Sequence, residues 1–238
     1  MTQQELCRRL EDVRQRMDAA LQAAGRAPSD VLLCAASKTQ SIETVALAAG
    51  LNIDLFGENR VQELVEKFDV SAYGQKPVHL IGHLQTNKVR QTVGRAAMIE
   101  SVDSERLLLC IEKEAAKQQL VQPVLLEINI GADQNKTGAP QNELFQLLET
   151  AEQCPHILVK GLMTVPPKAD SEYDQRHYFA DMYRLFCQAQ DRHYSRCRME
   201  ILSMGMSGDF PLAILEGSTM IRVGTALFGA RSYPQPTI

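Results

Sequence analysis

The chain has 238 residues, of which 45% are hydrophobic and 23% are charged, and its formal net charge is -4 at pH 7. These proportions are typical of a globular protein, and no low-complexity or Pro/Ser-rich linker interrupts the sequence, so we expect a single compact domain over residues 1–238. Basic residues are spread along the chain. This distribution argues against nucleic acid as a partner.

Cysteine spacing and hydropathy predict the cellular compartment. The six cysteines include no C-x-x-C pair, so we expect neither a zinc site nor a disulfide framework, and a reducing compartment fits best. No apolar stretch reaches the roughly 18 residues needed to cross a bilayer. We therefore expect a cytoplasmic protein with no membrane partner.

The first predicted element is an N-terminal amphipathic helix on the surface. Its apolar residues recur at helical spacing, with acidic residues among them that are unlike a targeting peptide. The apolar positions are Leu6, Leu10, Val13, Met17 and Leu21.

Eight short apolar runs follow this helix and predict strands. They are VLLCAAS from Val31, IDLFG from Ile53, VHLIG from Val78, AMIESV from Ala97, PVLLEINI from Pro123, ILVKGLM from Ile157, MEILSM from Met199 and MIRVGTALFG from Met220. Their nearly continuous apolar character is typical of buried parallel strands, and the intervening segments are long enough for crossover helices. The predicted fold is α/β, a single (β/α)8 TIM barrel with an extra N-terminal helix, and an open doubly wound sheet is the alternative.

Two of the intervening helices have candidate start signals. A helix is predicted over residues 103–119, with Asp103 as its cap. Asn59 is predicted to open another helix, and Gln62 three residues later makes a capping box an alternative to a ligand contact for Asn59.

In such barrels the loops that follow the strands build the functional site. The loop SMGMSGD, residues 203–209, follows the seventh run, and Gly224 and Thr225 follow Arg222 in the eighth. Small residues and hydroxyls before a helix let backbone amides converge on an anion, which favours a phosphate site here. Ordinary helix capping by the same residues is the alternative.

Lys38 is the candidate nucleophile, because it follows the first strand. Closure of the barrel brings the first strand beside the eighth, about 4.8 Å away. Partial burial disfavours a charged ammonium, so the amine of Lys38 could form a Schiff base with an aldehyde. A solvated lysine in a turn is the alternative.

Arg222 lies within the eighth run, where a buried guanidinium needs an acceptor. Glu127, Glu100 or a ring nitrogen of a ligand could each serve. His79 is interpreted as a core residue, because no carboxylate motif accompanies it to make a metal site.

Together these motifs resemble the pyridoxal phosphate homeostasis protein family, whose barrel is similar to the N-terminal domain of alanine racemase. The resemblance covers nearly the whole chain. The matching motifs are SKT at 37–39, FGENRVQE at 56–63, HLIGHLQTNK at 79–88, SVDS at 101–104, GLMTVPP at 161–167 and LSMGMSGDFPLAILEGSTMIRVGTALFGAR at 202–231.

The resemblance implies pyridoxal 5'-phosphate (PLP) as the cofactor, bound covalently to Lys38, with Arg222 facing the pyridine nitrogen. It also implies further contacts in three groups. The phosphate contacts are Ser203, Ser207, Gly224 and Thr225, the loop contacts are Met204 and Gly205, and the ring contacts are Asn59 and Met163.

The expected function is a carrier or buffer in PLP homeostasis that supplies PLP-dependent apoenzymes, and not an enzyme. Related racemases add a C-terminal β domain and a tyrosine from a second subunit, whereas this sequence ends at Ile238. Inversion requires proton donors on both faces of the substrate, so binding is favoured over turnover. A monomer is also expected. A weak PLP-dependent amino-acid racemase is the alternative, and an aldolase that uses Lys38 on a phosphorylated sugar is a more distant one.

Overall fold

The computed structural model of the chain describes residues 1–229, and residues 230–238, the end of the predicted domain, lie outside this range. Eight parallel strands form a closed barrel in the order of the sequence. The strands are β1 (Leu32–Ala36), β2 (Leu55–Glu58), β3 (Val78–Leu80), β4 (Met98–Val102), β5 (Gln122–Glu127), β6 (Ile157–Met163), β7 (Cys197–Met206) and β8 (Met220–Val223). The predicted barrel is confirmed.

Closure occurs between β8 and β1, which rules out the open doubly wound sheet. Cys34 in β1 is in register with Leu55 of β2 on one side and with Arg222 of β8 on the other. The loops that follow β1 and β8 therefore meet at the same point of the barrel rim.

Helices surround the barrel, and those between the first and the last strand connect successive strands. They are α1 (Gln3–Ala23), α2 (Ile42–Ala49), α3 (Val61–Asp69), α4 (Val89–Thr92), α5 (Glu105–Lys117), α6 (Leu144–Glu152), α7 (Glu172–Gln190), α8 (Phe210–Leu215) and α9 (Thr225–Phe228). The N-terminal helix α1 buries the predicted apolar stripe and packs against α8 and α9. Among residues 1–229, no helix combines the length and hydropathy needed to cross a membrane.

Several predicted element boundaries were wrong, and three of them have a clear physical reason. The run MIRVGTALFG is a strand only as far as Val223, and its second half is α9, because buried residues of a short helix look as apolar as a strand. The helix α5 is capped by Ser104 and not by Asp103, since the Ser104 hydroxyl accepts the amide hydrogen of Leu107. The N-cap of α3 is Arg60, which makes no side-chain cap bond, so Asn59 forms no capping box.

Side chains fill the barrel interior, as expected of a fold in which the interior is core and not a pore. The apolar interior cluster consists of Cys34, Ala36, Leu55, Ile81, Met98, Leu125, Met163 and Met220. A second and larger apolar layer lies between the strands and the helices.

Candidate functional site

A cavity of about 300 Å³ opens at the barrel mouth, at the carboxyl ends of the strands. This volume suits a small-molecule ligand. Six of the ten predicted cofactor residues line it, namely Lys38, Asn59, Ser207, Arg222, Gly224 and Thr225. The structure thus brings together residues that are up to 187 positions apart (225 - 38) in the sequence.

The turn that carries Lys38 is held from both sides by carboxylates. The preceding Ser37 donates its hydroxyl to Glu58 at 2.6 Å, and the following Thr39 donates its amide to Glu63 at 2.6 Å. Thr39 has a φ of 65°, a backbone conformation that costs energy for a residue with a Cβ. The fixed turn leaves the half-buried Lys38 side chain at the cavity wall.

Glu58 belongs to a buried polar cluster that the sequence prediction missed. The Nζ of Lys67 contacts the Glu58 Oε1 at 2.8 Å and the Ser37 carbonyl oxygen at 2.9 Å, and the Tyr73 hydroxyl donates to the same Oε1 at 3.2 Å. Burial raises the pKa of Glu58, and the charge and hydrogen bonds of Lys67 and Ser37 offset only part of that effect. The cluster ties the end of β1 to the end of β2.

Backbone amides converge on Ser207 at the opposite wall of the cavity. The Ser207 Oγ accepts hydrogen bonds from the amides of Gly224 at 3.1 Å and Ala226 at 3.2 Å. The Gly224 and Thr225 amides were predicted to bind a phosphate, and that contact stays a prediction. The amide of Met206 donates to Asp209 at 2.6 Å, which closes the loop around Ser207.

Arg222 lies on β8, lines the cavity and is 4% exposed. Its guanidinium donates to the Ser203 hydroxyl at 2.6 Å and to the Thr164 carbonyl oxygen at 2.8 Å. Ser203 in turn donates to Glu100 at 2.7 Å. Of the two predicted carboxylate acceptors, Glu100 is therefore reached through Ser203, and Glu127 bonds to Thr137 instead.

Asn59 lines the cavity and carries a buried, unsatisfied side-chain oxygen. Its Oδ1 is buried and has no hydrogen-bond partner among the described residues. Gly82 supports this position, since a Cβ there would lie 2.3 Å from the Asn59 carbonyl oxygen. A buried unsatisfied acceptor is costly unless a ligand or water completes it, so Asn59 fits a ligand contact.

Four predicted cofactor residues lie outside the cavity lining. Ser203 is fully buried beneath the mouth, where its hydroxyl donates to Glu100 and accepts from Arg222, and its phosphate contact stays a prediction. Met163 belongs to the interior cluster, and Met204 packs in the layer outside the barrel. Gly205 adopts a φ of 92° against α8 and shapes the loop.

A neighbouring cavity of about 470 Å³ shares Met206 and Gly208 with the mouth cavity. The loop between β6 and α7 forms most of its wall, and the exposed Lys136 lies at its edge. None of the predicted cofactor residues lines it.

Known proteins match this chain over almost its full length. The sequence profile of the alanine racemase N-terminal domain family matches residues 9–232. The pyridoxal phosphate homeostasis protein of Aquifex aeolicus is 40% identical over 227 residues, which are 95% of this chain and 99% of that relative. The protein of the same name from Pasteurella multocida is 35% identical over 94% of this chain and 97% of the relative.

Solved structures of similar proteins agree with this assignment. PipY of Synechococcus elongatus, solved with PLP bound, superposes with a TM-score of 0.78 at 33% identity and covers 91% of this chain and 100% of PipY. Alanine racemase from Corynebacterium glutamicum shares the fold, with a TM-score of 0.71 at 16% identity over 94% of this chain and 62% of the racemase. The chain therefore belongs to the pyridoxal phosphate homeostasis protein family, within the wider family of alanine racemase N-terminal domains.

Proposed function

We propose that this protein binds PLP reversibly through a Schiff base on Lys38 and acts as an intracellular PLP carrier and buffer. The observation that carries the proposal is the mouth cavity, in which Lys38 faces the Ser207 loop and Arg222. The homeostasis proteins at 33–40% identity and the PLP-bound PipY support the same ligand.

The donors and acceptors in the cavity fit the functional groups of PLP. The Ser207 Oγ accepts the amides of Gly224 and Ala226, so its own hydroxyl hydrogen can donate to a phosphate oxygen. Asn59 offers an unsatisfied acceptor for a ring substituent. Arg222 is a permanent donor suited to the pyridine nitrogen, and it disfavours protonation there.

Each residue then has a defined task. Lys38 would hold PLP through a carbon–nitrogen double bond between its amine and the aldehyde carbon, with the aldehyde oxygen lost as one water. The Ser207 hydroxyl would bind the phosphate, so that the aldehyde stays near Lys38. When bound, PLP supplies an electron-withdrawing ring, and the Arg222 contact weakens that property.

The ionisable groups in the cavity lining favour a PLP carrier over an enzyme that turns over amino acids. In the described part of the chain these are Lys38 and Arg222, and the other lining groups do not titrate near neutral pH. Inversion at a carbon requires an acid or base on each face, and guanidinium does not release its proton. The proposal includes cytoplasmic localisation, a monomeric state and PLP-dependent apoenzymes as recipients.

A weak amino-acid racemase is the second candidate, because the alanine racemase N-terminal domain profile covers residues 9–232. The two functions make different predictions for purified protein loaded with PLP. A carrier transfers PLP to an added apoenzyme and leaves L-alanine enantiopure, whereas a racemase produces D-alanine. Sustained racemisation by the loaded protein would refute the carrier.

Reductive trapping tests the binding mode. Wild type loaded with PLP should be yellow, lose the colour on borohydride reduction and carry the pyridoxyl adduct on the Lys38 peptide by mass spectrometry. Lys38→Ala should lose the colour, and Lys168→Ala, which removes an exposed lysine of the neighbouring loop, should keep it. An adduct on another residue of the wild type, or none, would show that the proposed site is wrong.

A further inference from the structure

Four buried polar side chains form a continuous hydrogen-bonded chain beneath the mouth cavity. The His79 Nδ1 lies 2.7 Å from the Glu100 Oε1, the Ser203 hydroxyl lies 2.7 Å from the Glu100 Oε2, and Arg222 donates to Ser203 at 2.6 Å. His79 and Arg222 are 6% and 4% exposed, and the other two are fully buried. The chain spans the interior from β3 to β8, and the proposed function leaves three of its members without a task.

The chemistry of the end members dictates the direction of every bond in this chain. Arginine can only donate, and an ionised carboxylate can only accept. The Ser203 hydrogen must therefore point to Glu100, and a lone pair of Ser203 must accept from Arg222. With its second contact to the Thr164 carbonyl oxygen at 2.8 Å, the guanidinium has one orientation that satisfies all partners.

The electrostatics keep Glu100 ionised. Burial raises the pKa of Glu100, but the hydrogen bond and charge of His79, the charge of Arg222 and the hydrogen bond of Ser203 lower it more, so that the net shift is downward. Glu100 thus supplies the negative charge that a buried guanidinium requires.

Other ionisable groups face Arg222 but are engaged elsewhere. Burial raises the pKa values of Glu127 and Asp209, and the charge of Arg222 acts against that rise in both. Glu127 accepts from Thr137, and Asp209 accepts the Met206 amide. Cys34 is fully buried in the same interior, and desolvation, followed by the charge of Glu100, raises the pKa of its thiol. None of these groups is shown to hydrogen-bond the guanidinium, so its orientation is set by its bonds to Ser203 and to the Thr164 carbonyl oxygen.

We propose that Ser203, Glu100 and His79 are positioning residues that hold the Arg222 guanidinium in one orientation, with its remaining N–H groups available to the pyridine nitrogen in the mouth cavity. This inference rests on the proposed PLP site. It assigns Ser203 to orienting the arginine. Loss of the link lets the guanidinium rotate, and the ring nitrogen then becomes easier to protonate.

The apo protein tests the positioning without PLP. Hydrogen exchange of the Arg222 side-chain N–H groups is measured by NMR in wild type, Ser203→Ala and Ser218→Ala. Ser218 is the matched control, since it is also fully buried, but its hydroxyl contacts the backbone oxygens of Leu202, Met204 and Met220. Exchange should be about tenfold faster in Ser203→Ala, as expected for one lost buried hydrogen bond, and nearly unchanged in Ser218→Ala. Equal rates in both variants would overturn the proposal.

The loaded protein tests the consequence for the ligand. PLP labelled with ¹⁵N in the ring reports protonation of the pyridine nitrogen through its chemical shift. This nitrogen should titrate about one pH unit higher in Ser203→Ala and in Ser203→Gly, which both remove the hydroxyl link without a change of charge, than in wild type or Ser218→Ala. Ser203→Gly provides the same test if Ser203→Ala fails to fold. Identical titrations in all four proteins would contradict the inference. A wild type without a Lys38 adduct would instead contradict the proposed function, and the positioning of Arg222 would then be judged from the hydrogen-exchange experiment.

Discussion

At the scale of single residues, the least expected feature is a buried ion pair that supports the turn of Lys38 without touching the mouth cavity. The side chains of Lys67 and Glu58 are 4% and 0% exposed, and both bond to Ser37, the neighbour of Lys38. Breaking a buried pair leaves an uncompensated charge, which costs far more than loss of a surface pair. We therefore expect the stability of the Lys38 turn to depend on Lys67.

Lys67→Met should lower the free energy of unfolding by about 3–5 kcal/mol, because it leaves the Glu58 carboxylate buried without its cation. The measurement is urea unfolding of the apo protein. Lys117→Met is the control, since it removes an exposed lysine that pairs with Glu114, and it should cost less than about 1 kcal/mol. The double variant Lys67→Met/Glu58→Gln should recover part of the loss, and a double variant less stable than Lys67→Met would contradict this account.

At the scale of elements, the loop between β7 and α8 determines where Ser207 lies. Gly205 has a φ of 92°, and a Cβ there would lie 2.6 Å from the Ala213 Cβ and 3.0 Å from the Phe210 Cα. Both atoms belong to α8, so a side chain at Gly205 would push the loop away from the helix. The glycine thereby fixes the distance between the Ser207 loop and the amides at the start of α9.

Gly205→Ala should cost roughly 2–4 kcal/mol of unfolding free energy, the sum of overpacking and left-handed backbone strain. It should also weaken PLP binding, because the Ser207 loop moves. Gly50→Ala serves as the control, since its Cβ would meet its nearest atom at an ordinary 3.6 Å. Thermal unfolding and PLP titration of both variants provide the comparison, and equal stability of the two would argue against this role for Gly205.

At the scale of the whole molecule, the proposed ligand bridges the seam where the barrel closes. Cys34 and Arg222 are register partners across that seam, and the cavity takes Lys38 from one side and Gly224 from the other. A ligand that binds only the folded barrel adds its binding free energy to stability. Covalent and non-covalent contributions to this effect should be separable by substitution of Lys38.

PLP at a hundredfold excess over its dissociation constant should raise the unfolding free energy of the wild type by about 2.7 kcal/mol. At the same PLP concentration, Lys38→Ala should be stabilised less, because the phosphate contacts remain and the covalent bond is lost. Denaturant unfolding with and without PLP measures both effects. Equal stabilisation of the two proteins would show that Lys38 does not contribute to binding.

Most of the fold was predictable, because its signals are local. Each of the eight apolar runs contains the core of an observed strand, and barrel closure followed from their number and spacing. The errors lie at element ends, such as α9 and the caps of α3 and α5, where side-chain geometry decides. The Lys38, Ser207 and Arg222 positions were also predictable, since each follows from its place on a strand or rim.

The sequence by itself determined the order of strands and helices, the family and the candidate lysine, because hydropathy periodicity and contiguous motifs are properties of short segments. Only the tertiary structure decided which polar side chains of the interior hydrogen-bond to one another. Ser203 and Glu100 are 103 residues apart, and Ser203 contacts both Glu100 and Arg222 only because the closed barrel brings β4, β7 and β8 around one interior. Hydrogen bonds of that kind depend on side-chain directions across the barrel, and residue type and spacing along the chain do not specify those directions.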